Sequence, residues 1–193
     1  MKKKSIFYVS LLAVVLFVNC TQGPTLQSYF VEKMDDPTFL IVNLPFKLDK
    51  LFTKDLTATE QEALASVEKL NLLFYRFRSG EETKFKSELN QLNTILAQNK
   101  YQHLMDFKAF DKGQGKLLFE GATDKIEEGI VFLSATDKGF GVLRILGSEI
   151  NPAILMRLIK KVDQTQIDAS PQFFSHHVIP SGFKGFFATI TYR

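Results

Sequence analysis

Few residues in this chain are of the types that carry reactions. Among its 193 residues there is one cysteine, Cys20, and there are three histidines, two of them adjacent in Ser175-His176-His177. A serine beside histidines has the makings of a nucleophile with its base, and paired histidines those of a metal site. Adjacent side chains on an extended chain point apart, however, and the nearest acidic residue upstream is Asp168, so either site would need distant partners. These three residues therefore read as surface residues of a tail. His103 opens a strand pattern and reads as a strand-edge residue, not a base. The carboxylates Asp35-Asp36, Glu81-Glu82 and Glu127-Glu128 are sequential pairs at expected helix ends and turns, where capping, the helix dipole and solvation account for them. None has the look of a glycosidase pair. The glycines of DKGQGK (111–116) and KGFGVL (138–143) lack the strand-loop-helix setting of a phosphate loop and read as hairpin turns. The residues thus offer no catalytic set, no metal site and no cofactor site, and the expectation is a protein that is not an enzyme.

Cys20 has a different context. Lys2, Lys3 and Lys4 precede an apolar run over 6–18 that only Ser10 interrupts, the outline of a secretory signal. The run is short for a spanning helix, which needs roughly 18 apolar residues or more, and Thr21-Gln22-Gly23-Pro24 breaks it. An apolar run ending on a cysteine resembles the lipobox of bacterial lipoproteins, although Phe17 and Asn19 stand where that motif usually has Leu and a small residue. The same two residues lack the small side chains of an A-x-A cleavage site, which leaves ordinary secretion and a retained signal anchor as the lesser readings. The resemblance implies that residues 1–19 are removed, that Cys20 is acylated, and that 20–24 form a short linker. Several acyl chains would hold such a protein firmly to a membrane. An acylated Cys20 has no thiol left for a disulfide, a zinc ion or catalysis.

Loss of the signal also changes the charge. The net charge of +3 rests on Lys2, Lys3 and Lys4, and without them the basic side chains equal the 21 acidic ones. A nucleic-acid partner is not expected, because the mature chain is formally neutral and its phenylalanines fall on core stripes without an interleaved basic patch.

The elements follow from periodicity. A helix is expected over 25–34, with Leu26, Tyr29 and Phe30 on one face, and a strand over 38–44. Leu48, Leu51 and Phe52 have helical spacing, and Thr57 with Glu60 forms a capping box opening a helix to about Val67. KLNLLFYRF (69–77) is apolar on both alternating faces, as in a central strand covered on both sides. Ser79 with Glu82 repeats the capping-box pattern before a helix whose stripe is Phe85, Leu89, Leu92 and Leu96, ending at Asn99. The period then changes to two. Strands are expected over 104–110, 116–122, 128–136 and 140–148, with Gly113, Gly115 and Gly139 supplying positive φ in the hairpins of an antiparallel meander. Asn151 caps a last helix with Pro152 at its first position and Ile154, Leu155, Leu158, Ile159 and Val162 as its apolar stripe. The expected fold is a single α+β domain over 25–163, with helices packed on a mixed or antiparallel sheet.

This order of elements, with KLNLLFYRF before a charged helix and a close of apolar strand (143–147), Ile150-Asn151 and short helix, resembles the Bacteroidota envelope lipoprotein family of the domain of unknown function 4252. The resemblance implies a small α+β lipoprotein and carries no catalytic residues. It also implies a location, since displayed lipoproteins of that group carry acidic residues after the anchor and Thr21-Gln22-Gly23-Pro24-Thr25 has none. The expected place is the periplasmic face of the outer membrane, in the cell envelope.

The extension 164–193 is too apolar for an ordinary disordered tail. Its ending FFATITYR either folds back as an edge strand or a cover on one face of the domain or, with Phe173, Phe174, Phe186, Phe187 and Tyr192, presents aromatic surface to a partner or to the bilayer interface. Two functions fit: a tethered module that binds or assembles with another envelope protein, which is preferred, and a carrier or sensor of a small apolar ligand held between sheet and helices.

Overall fold

Residue alternation over Val67–Arg76 places one apolar set on each side of a strand, and the rest of the molecule is arranged to cover both. The computed structural model describes residues 23–45, 56–109, 113–136, 138–151 and 153. Helix α1 (Leu26–Glu32) opens on a reciprocal cap, in which Thr25 Oγ1 accepts the Ser28 N–H and Ser28 Oγ accepts the Thr25 N–H. A 3-10 turn (Lys33–Asp35) leads from it to β1 (Phe39–Pro45). Helix α2 (Ala58–Ala65) carries the expected Thr57–Glu60 capping box and gives way to β2 (Val67–Arg76). Helix α3 (Glu82–Leu96) follows, and then β3 (Gln102–Ala109), β4 (Gly113–Gly121), β5 (Ile126–Ala135) and β6 (Gly139–Ile150).

The six strands form one sheet in the order β1-β2-β6-β5-β4-β3, and every neighbouring pair is antiparallel. The last four strands pair in sequence, and β2 docks on the free side of β6. The helices make the fold α+β with sheet predominating.

Each face has its own core. Leu73 and Tyr75 of β2, Phe132 of β5, and Phe140 and Val142 of β6 pack beneath α1 and α3, against Leu26, Tyr29, Phe30, Phe85, Leu92 and Ile95. Tyr75 and Phe140 stack at 5.1 Å, with Phe39 edge-on to both. The opposite face is mainly aliphatic, with Phe74 and Phe119 set among Leu70, Leu72, Leu117, Val131, Leu143, Ile145 and Ile150, and among the described helices only α2 reaches it, through Leu64.

Several expectations need correction. Val67 opens β2 instead of closing α2, because Ser66 ends the helix, its N–H bonded to Glu62 and its hydroxyl to the Ala63 carbonyl. Ser79 and Glu82 do not form a capping box. The α3 N-cap is Glu81, without a side-chain cap, and Glu82 instead accepts the N–H of Gly80, whose φ of 92° turns the chain before the helix. The helix ends at Leu96, short of Asn99. Gly115 is not a turn residue: it lies inside β4, opposite Phe107, and a Cβ there would collide with the Phe107 ring and Leu133. Gly113 likewise belongs to β4. Gly139 does have positive φ, at 118°. Asn151 caps the next element as expected, its Oδ1 accepting the Ala153 N–H at 3.0 Å. The helical spacing at Leu48, Leu51 and Phe52, the stripe from Ile154 to Val162 and the extension 164–193 lie outside the described residues.

Candidate functional site

An antiparallel sheet of six strands has two edges, and in this molecule they differ. On β1 the side chains of Phe39, Leu40, Ile41 and Val42 are all half-buried. Phe39 is held edge-on to Tyr29 at 6.1 Å and lies under the Lys33 ammonium at 5.7 Å, so α1 and the 3-10 turn pack on the start of that strand. On β3 the side chains from Gln102 to Asp106 are exposed. Leu104 and Met105 are 44% and 41% accessible, half of the exposed large apolar side chains among the described residues.

The local sequence explains why β3 stays in the sheet despite this exposure. Its start is pinned by Gln102 Nε2, which donates to the Gly121 carbonyl at 2.8 Å, and by the Lys100–Glu120 ion pair at 2.9 Å. Tyr101 just before it is buried, with Lys100 over its ring at 4.5 Å. Burial, then the nearby Glu128 carboxylate, raises the Tyr101 hydroxyl above the usual tyrosine range, so it stays protonated. Further along, Phe107 lies across the bare backbone of Gly115. Between these two anchors the register slips at His103/Met105, which leaves Leu104 as an extra residue. His103 Nε2 sits 3.0 Å from Asp106 Oδ1 on the exposed strand. His103 is therefore the expected strand-edge residue, and its partner Asp106 was not anticipated.

The charged residues that are buried hold the fold. The pair Glu127-Glu128 is the main departure from expectation, for both lie inside β5 and not at a turn: Glu127 is exposed, but Glu128 is buried, and its Oε1 accepts from Arg144 Nε at 2.6 Å. Arg144 Nη1 donates to Gln27 Oε1 at 2.5 Å, and its guanidinium faces the Phe30 ring at 5.4 Å. This set fastens α1 to β5 and β6. On the same side of the sheet, Asn71 Nδ2 donates to Asn43 Oδ1 across β1 and β2. A second set joins α1 to α3: Tyr29 donates to Glu88 at 3.0 Å, and Lys33 Nζ binds Glu32 and Glu88, both at 2.9 Å. Burial and Glu88 push the Tyr29 hydroxyl far above its ordinary range. Burial opposes the Lys33 charge, but its two carboxylate partners outweigh that and raise it. Asp36 behaves oppositely to a carboxylate left in an apolar site. Burial raises it, but hydrogen bonds from Thr38 and Lys84 prevail and hold it at about 2.

Each of these groups is engaged by neighbours that serve packing. Among the described residues, no group of three His, Cys, Asp or Glu side chains is placed to hold a metal ion. No helix among them is long and apolar enough to cross a membrane. Cys20, Ser175, His176, His177 and the aromatic residues Phe173, Phe174, Phe186, Phe187 and Tyr192 lie outside the described residues. What the structure adds is Leu104, Met105 and Asp106 on β3, whose strand pattern was readable but whose edge position was not.

A family model described as Domain of unknown function (DUF4252) matches residues 29–158, from α1 through β6 and beyond Asn151. No curated protein and no solved structure matches the chain.

Proposed function

The chain belongs to the DUF4252 family, and from that premise we propose that it is a non-enzymatic binding or assembly module, tethered to the envelope and offering the edge of β3 to a strand of another envelope protein. The observation that carries this reading is the contrast between the outer strands: the side chains of β1 from Phe39 to Val42 are half-buried, whereas β3 presents Leu104 and Met105 at 44% and 41% exposure. An exposed edge is a template for strand addition, in which main-chain hydrogen bonds give affinity and alternate side chains give specificity. The bulge, the polar His103 and the charged Asp106 and Lys108 on this strand discourage indiscriminate pairing. A partner strand with apolar side chains opposite Leu104 and Met105 is the occupant that this edge fits.

The tether is Cys20, acylated after removal of 1–19, and the place is the periplasmic face of the outer membrane. The few residues between Cys20 and Thr25, which caps α1, would keep the domain close to the bilayer. Phe173, Phe174, Phe186, Phe187 and Tyr192 of the extension are further contacts to the partner.

The test is crosslinking and affinity capture from intact envelopes of the native protein, a Cys20→Ala variant and a Leu104→Lys/Met105→Lys variant. The expected result is one envelope protein captured near stoichiometry by the native chain, with capture reduced in both variants. Capture that is indifferent to β3 would remove the edge from the reading, and a co-purifying apolar small molecule in place of a protein would favour a carrier. Membrane retention of Cys20→Ala equal to native would refute the tether.

A further inference from the structure

The exposed edge of β3 accounts for only part of the apolar surface among the described residues. Val31 at 54% and Met34 at 55% are more exposed than Leu104 or Met105. They stand three residues apart where α1 runs into the 3-10 turn, so they share one side, away from the buried Leu26, Tyr29, Phe30 and Lys33.

This segment inverts the ordinary placement of side chains. A lysine is normally outside and a methionine inside, yet Lys33 is 7% accessible where Met34 is exposed. The inversion has a local cause: Glu32 and Glu88 each bind the Lys33 ammonium at 2.9 Å, and the Tyr29 ring centre lies 5.1 Å from it. Drawing the cation inward also engages Glu32. The outer side of the segment thus offers Val31 and Met34 beside the uncharged Gln27 and Ser28, with Asp35 exposed at its end.

What lies near this side is set by the length of the chain. Thr25 caps α1 five residues after Cys20, a span of at most about 18 Å. With Cys20 acylated, the reading of the tether on which this rests, α1 is the first described element along the chain from the bilayer. We propose that the outer side of α1 and the 3-10 turn lies on the membrane surface. Val31 and Met34 enter the boundary between head groups and acyl chains, and the Asp35 carboxylate meets the ammonium of a zwitterionic phospholipid. The β3 edge stays clear of the lipid. It is the third strand beyond β6, to which Gln27 and Arg144 fasten α1, and Met105 stands opposite Leu117, on the face of the sheet away from α1.

The test reads two methionine methyl groups of the native sequence by nuclear magnetic resonance. The full acylated chain, isotope-labelled at its methionine methyls, is placed in phosphatidylcholine nanodiscs with and without a phospholipid spin-labelled near the head of its acyl chain. Met34→Leu and Met105→Leu assign the two signals. Met34 should lose at least about half of its intensity to the spin label and Met105 less than about a tenth. Val31→Asp should cut the loss at Met34 by at least about twofold while the chain stays on the disc, a change that nearness to the anchor alone does not produce. A Met34 signal left sharp in the disc-bound chain would overturn the inference and give this side to a protein or a second copy. Equal broadening of the two methyls, or a Val31→Asp variant broadened like native, would overturn it too. Disc retention of Cys20→Ala is read separately: retention equal to native refutes the tether, and the inference falls with it.

Discussion

Strands β6 and β3 belong to the same run of hairpins but stand in opposite situations. β6 has a partner on each side, β2 and β5, and its first seven residues are buried in succession. It supplies Phe140 and Val142 to one core and Leu143 and Ile145 to the other. Among the described residues β3 pairs only with β4, and most of its side chains face solvent. The difference teaches where stability and binding reside. Substitutions on and around β6 should unfold the domain, whereas substitutions on the outer part of β3 should leave it folded and alter what it binds.

The largest effect is expected from Glu128→Ala, which leaves the buried Arg144 without its carboxylate and should cost about 3–5 kcal/mol in urea unfolding. Adding Arg144→Met to that variant should restore much of the loss, since the charge that was stranded is then gone. A variant that loses nothing would remove the buried pair from the explanation of how α1 is held. Next comes Gly115→Ala, where β3 meets the interior. The added methyl drives against Phe107 and Leu133 and should cost about 1–3 kcal/mol. A smaller, pH-dependent effect is expected at Asp36, away from both strands. Its carboxyl is held at about 2 in the folded protein, below the ordinary value of 3.8. The stabilisation from Thr38 and Lys84 is therefore fully present above about pH 4 and fades as the pH falls toward 2. Asp36→Asn should melt lower than native at pH 6, with the gap narrowing as the pH is lowered to about 2.5. A gap independent of pH would mean that the charge is irrelevant. Least of all, Leu104→Lys/Met105→Lys should change stability by no more than about 0.5 kcal/mol.

How much of this was legible in the sequence varies with how local the cause is. The two-sided burial of β2 was readable because both alternations of KLNLLFYRF are apolar, and the Thr57–Glu60 cap because both partners lie within one helical turn. The same motif at Ser79–Glu82 misled, since the left-handed turn at Gly80 moves the helix start past Ser79. Gly115 resembled a turn glycine, and its purpose is set by side chains of two other strands. Glu128 and Arg144 stand in period two with Ile130 and Val142, which carried the inward signal, but the ligands that make burial tolerable come from 16 residues away and from Gln27, 117 residues away. For the candidate site the limit was topology. Nothing local tells that β2 inserts beside β6 and leaves β3 at the margin, so the strand was expected but its exposure was not.

The measurement to make is the binding of the captured envelope protein to native and Leu104→Lys/Met105→Lys domains that melt at the same temperature. A loss of affinity of tenfold or more with unchanged melting is the expected result and would place recognition on the β3 edge. Equal affinity for the two proteins would contradict it.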